Sequence, residues 1–87
     1  MTDQKIKKAT ALKYDGSDSA PIVVASGQGE IAERIVELAR EAGLHITSDP
    51  ILADLLAKIP VGHEIPEELY LAVAEILTYV YRLNEQN

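Results

Sequence analysis

An 87-residue chain, 47% hydrophobic and 25% charged, makes one globular domain that buries about 60–65% of its unfolded surface, and wholesale disorder is excluded. With no Cys, Trp or Phe and four Tyr, its core is aliphatic, and disulfides, thiolate metal sites and cysteine nucleophiles are excluded. A net charge of −6 and a pI near 4.7 oppose phosphate binding, so nucleic acid is not an expected partner.

The polar start MTDQKIKK lacks a signal-peptide core, and no apolar run reaches the ~18 residues of a bilayer span. Lys5, Lys7, Lys8 and Lys13 form the one basic cluster, read as a solvated terminus. Residues 1–8 are expected to be a flexible segment and residues 9–84 a single folded domain. ATALKY, 9–14, alternates so that Thr10, Leu12 and Tyr14 share one face, as in a strand. DGSDSAP then makes a loop. IVVA, Ile22 to Ala25, is a continuous apolar run of the kind found in central strands covered on both faces.

SGQGE turns the chain into a helix, with Ser26 or Gly27 near its cap. Ile31, Ile35, Leu38, Ala39 and Ala42 form its apolar stripe, and Gly43 ends it. LHIT, 44–47, reads as a further short strand, and strand–helix–strand at this spacing implies a parallel crossover. Ser48 or Asp49 caps a second helix with Pro50 in its first turn; Leu52, Leu55, Leu56 and Ile59 form its buried side. KIPVGHEIP is a connector, extended near Val61. Pro66 opens the last helix, with Glu67 and Glu68 where the macrodipole favours acids. Its core stripe is Leu69, Val73, Ile76, Leu77, Val80 and Leu83. Tyr70, Ala72, Ala74, Tyr79 and Tyr81 widen its apolar surface, either for the core or for a partner. The order β-β-α-β-α-α gives an α/β (α+β) class: a small mixed sheet of about four short strands with three packed helices.

No catalytic constellation stands out. GQGE lacks the Walker and GxGxxG patterns and places Glu30 where a phosphate would sit, so it reads as a plain turn. His45 and His63 have no metal-ligand spacing. Glu64, Glu67 and Glu68 have no paired base, and Ser17, Ser19, Ser26 and Ser48 fall at turns or caps without a nucleophile elbow. No catalytic residue, metal site or cofactor is therefore expected.

ALKYD (11–15), APIVVASGQGEIAERIVELAREAG (20–43), DPILADLL (49–56) and EIPEELYLAVAEILTYVYRL (64–83) together resemble the C-terminal cytoplasmic domain of FlhB-type proteins. These are the substrate-specificity switch components of flagellar and injectisome type III secretion. Full-length members carry a membrane part and then a self-cleaving Asn-Pro-Thr-His motif, which falls here on Gln4-Lys5-Ile6-Lys7. The resemblance thus implies a stand-alone domain without autocatalysis or membrane anchor. It implies a cytoplasmic, non-catalytic interaction module, recruited to the inner face of the membrane export apparatus, whose partners are export-apparatus components and export substrates. The family's small hydrophobic patch matches Ala20, Pro21, Ala74 and Leu77. Asp54 stands where longer members commonly have Arg, and the KIPVG connector is shorter. Two alternatives stay open: a self-processing or small hydrolytic enzyme, and an adaptor or regulator that kept only the fold.

Overall fold

The computed structural model describes residues 7–14, 16 and 19–85, with side chains to residue 77. Strand β1 (Lys8–Lys13) and strand β2 (Ile22–Gln28) pair antiparallel, from Lys8 opposite Gln28 to Lys13 opposite Ile22. The register slips between Ala11 and Leu12: Ala11 faces Ala25 and Leu12 faces Val23. Val24 is therefore the extra residue of a bulge, and it is 48% exposed beside a fully buried Val23. IVVA was expected to be covered on both faces. Only one face is covered at this point: successive strand residues point to opposite faces, so Val23 enters the core and Val24 is left at the surface.

The far edge of β2 is occupied by the connector. The Val23 N–H donates to the His63 carbonyl at 2.9 Å, and the Gly62 N–H donates to the Val23 carbonyl at 2.7 Å. The Ile65 N–H reaches the Pro21 carbonyl at 3.0 Å, and Ile22 and Glu64 form an isolated antiparallel bridge. The extended piece of the connector thus lies at Glu64, not at Val61, because Gly62, with φ 94°, turns the chain first.

β2 runs on through SGQ, paired to β1, so the cap of helix α1 (Glu30–Glu41) is Gly29 and not Ser26 or Gly27. Gly29 takes φ 61° and ψ −127°, a backbone state that L side chains rarely adopt. Its N–H donates to the Lys7 carbonyl, closing the sheet end. Gly27 is required by proximity, since a Cβ there would overlap the β-branched side chain of Ile31. α1 lies against both strands. Its inner face is Ala32, Ile35, Val36 and Ala39, with Ala32 buried, while Ile31 and Leu38 are 63% and 48% exposed. The expected stripe is thus rotated by about one residue. The sequence is apolar at both sets of positions, and a narrow two-stranded sheet covers only one of them. The helix ends in a Schellman pair: Leu44 N–H to the Ala39 carbonyl and Gly43 N–H to the Arg40 carbonyl, with Gly43 at φ 74°.

The third strand expected at LHIT does not form, and with it the parallel crossover falls away. The N–H of Leu44 is taken by the helix end, and residues 44–47 are all exposed with no ladder beside them. Helix α2 (Pro50–Leu56) follows, with the Asp49 carboxylate accepting the Leu52 N–H at 3.1 Å and Pro50 in the first turn. Lys8 of β1 donates to the Asp54 carboxylate at 2.9 Å, so the acidic side chain at this position ties α2 to the sheet. Pro66 caps a 3-10 turn, Glu67–Leu69, which leads into helix α3 (Tyr70–Glu85).

The domain is α+β, an antiparallel sheet with three helices. The core is Ala20, Val23, Leu52, Leu56, Ile65, Leu69 and Val73, flanked by Leu12, Ile59, Ile76 and Leu77. Leu55, expected inside, is 41% exposed. Val80, Leu83, Tyr79 and Tyr81 lie outside the residues whose side chains are described.

Candidate functional site

Pro21 sets the entry to β2 and gives its carbonyl to Ile65, so the loop end at Ala20 and Pro21 is drawn under α3. Along α3, Tyr70, Ala74 and Leu77 recur at helical spacing on one face. Where these meet, Tyr14, Ser19, Ala20, Pro21, Tyr70, Ala74 and Leu77 line a groove of about 200 Å³. All four residues that the sequence singled out, Ala20, Pro21, Ala74 and Leu77, are therefore brought together.

Their environments differ. Ala20 is 1% exposed and belongs to the core, and Pro21 is buried beside it. These two form a floor. Ala74 is exposed and Leu77 half-buried against the core, making one wall. Tyr14 and Tyr70, 37% and 40% exposed, complete the sides. The Ser19 hydroxyl donates to the Glu64 carboxylate at 2.8 Å, which holds an acid beside this lining residue.

Tyr70 was legible as a lining residue, because it precedes Ala74 and Leu77 by whole helical turns. Tyr14 and Ser19 were not, since only the folded loop brings them to α3. The groove is smaller than the roughly 300–1,000 Å³ of small-molecule sites.

A second cavity, of about 340 Å³, lies between residues 45–47 and α3 and is lined by His45, Ile46, Thr47, Glu75 and Ile76. His63 does not line that cavity; it sits in the connector, with its carbonyl bonded to Val23. Glu64 serves Ser19, and Glu67 and Glu68 open the 3-10 turn. Among the described residues no group of three His, Asp or Glu side chains gathers as metal ligands would, and no helix is long and apolar enough to cross a membrane.

The profile of the family described as "FlhB HrpN YscU SpaS" matches residues 6–80. The chain belongs to this family. It is 44% identical to the uncharacterized protein YlqH of Bacillus subtilis (strain 168), over 92% of this chain and 87% of that protein. It is 47% identical to the flagellar biosynthetic protein FlhB of Aquifex aeolicus (strain VF5), over 83% of this chain and 21% of that protein. The chain thus spans about nine-tenths of YlqH and about a fifth of the FlhB protein. The crystal structure of the cytoplasmic domain of FlhB from Shewanella putrefaciens superposes with a TM-score of 0.84 at 38% identity, covering 91% of this chain and 66% of that one. The α+β architecture seen here is therefore that of an FlhB cytoplasmic domain.

Proposed function

We propose that this FlhB-family domain is a docking module of the flagellar and type III export system. It binds export substrates or export-gate components in the groove between the Ala20–Pro21 floor and α3. The reading is non-catalytic, and it places the protein at the cytoplasmic face of the export apparatus, in place of or beside the corresponding domain of a full-length FlhB.

The observation that carries it is the convergence of Ala20, Pro21, Ala74 and Leu77 on one groove. Apolar burial there supplies affinity, and an acidic surface sets partner choice and encounter rate. A groove this small holds few atoms, so weak and reversible binding is expected, as a switching component requires.

Ala74 is exposed, so Ala74→Asp puts a charge on the groove wall without touching the core. With the full chain as bait in a lysate of a flagellated bacterium, export components or early substrates are expected in the bound fraction, identified by mass spectrometry. The variant is expected to lose them while keeping its circular dichroism spectrum and unfolding midpoint. Recovery of no export protein by the wild-type bait, or equal recovery by both baits, overturns the reading.

A further inference from the structure

The groove's surroundings carry more information than its floor. Two half-exposed tyrosine rings, Tyr14 and Tyr70, flank it. Glu64 is held by the hydroxyl of Ser19, a lining residue, and Glu67 stands one turn ahead of Tyr70, whose N–H bonds the Glu67 carbonyl. Among the described residues, the lysines of β1 do not offset these acids. Lys7 and Lys8, at the far end of β1, are paired with Glu33 and Asp54 at 3.4 and 2.9 Å. Lys13 precedes Tyr14 and by strand alternation faces away from it.

Resting on the docking reading above, we propose that the occupant is a peptide segment with two features: an aliphatic side chain seated between Ala20, Pro21, Ala74 and Leu77, and an arginine a few residues away. The guanidinium is planar, so it stacks on a tyrosine face and presents paired N–H donors to a carboxylate. Lysine, a strongly hydrated point charge, does the first less well and the second not at all. The chain's net charge of −6 draws a basic segment in and repels an acidic one.

The test is selection of a random-peptide display library on the full chain, with counter-selection on the Ala74→Asp variant. Synthetic copies of an enriched peptide, with the arginine kept or changed to Gln or Glu, are then titrated against wild type and against Glu64→Gln/Glu67→Gln. Groove-dependent peptides are expected to be enriched in arginine near an aliphatic residue. The Gln version is expected to bind about 3- to 10-fold more weakly to wild type, and that difference is expected to shrink in the double variant to the part carried by stacking on the tyrosines. Groove-dependent peptides without an excess of arginine overturn the inference and leave the docking reading intact. So does an arginine preference that keeps its full size in Glu64→Gln/Glu67→Gln. If no peptide distinguishes wild type from Ala74→Asp, both fall.

Discussion

Thr10 shows how a single atom can cost a small domain stability. Its Oγ1 is buried and has no hydrogen-bond partner among the described residues. A buried hydroxyl without a partner forfeits its hydration and gains nothing in return. Thr10→Val keeps the β-branched shape that suits the strand and removes the unsatisfied oxygen. It is expected to raise the unfolding free energy by about 1 kcal/mol, read as a higher urea midpoint at unchanged slope. At this scale the sequence was legible where a residue's own chemistry decides its place. Asp49 and Pro50 were recognisable as a helix start, and Gly43 as its end. It was illegible where a neighbour decides. Nothing local says that Gly29, and not Ser26, caps α1, because the choice depends on how far β1 holds β2 in its ladder. The same holds for Asp54, whose partner Lys8 lies on another element.

Among the elements, α1 and the segment at 44–47 teach opposite lessons about periodicity. α1 was identifiable as an amphipathic helix, but its sequence is apolar over two overlapping stripes. Only the sheet beneath it chooses Ala32, Ile35, Val36 and Ala39 over Ile31 and Leu38. LHIT has a strand's composition and no strand's neighbours. A ladder partner is a property of the whole topology, and the connector at 62–65 takes the open edge of β2 instead. α2, with seven residues, is too short to hold itself together and relies on its cap and on packing. Asp49→Ala removes the carboxylate that accepts the Leu52 N–H and is expected to cost about 1 kcal/mol. A parallel decrease in hydrogen-exchange protection along α2 would locate the loss, whereas unchanged protection would show that packing alone holds the helix.

At the scale of the whole molecule, the described residues gather on one core. A domain of 87 residues is expected to be stable by about 4–13 kcal/mol, and its fully packed interior is a short set of aliphatic side chains. Leu56, 6% exposed at the end of α2, bridges the helix to that set. Leu56→Ala is expected to remove about 2–5 kcal/mol, a large share of the total, so equilibrium denaturation should show a marginal or unfolded domain. The overall class and the groove were both legible. The long pattern through α3 specifies the core stripe and a wide apolar surface beside it, and the family resemblance supplied Ala20, Pro21, Ala74 and Leu77 as a set, which no periodicity marks. The position of that floor has a practical outcome. Ala20 and Pro21 are at once the bottom of the groove and part of the interior, so any ligand pressing on them also braces the fold. Such a domain reports its own occupancy: a bound peptide should register as resistance to melting, and screening by thermal shift needs no label and no knowledge of the partner. Equally, a loss of binding after changing Ala20 or Pro21 is uninterpretable by itself, and only the α3 wall separates recognition from folding.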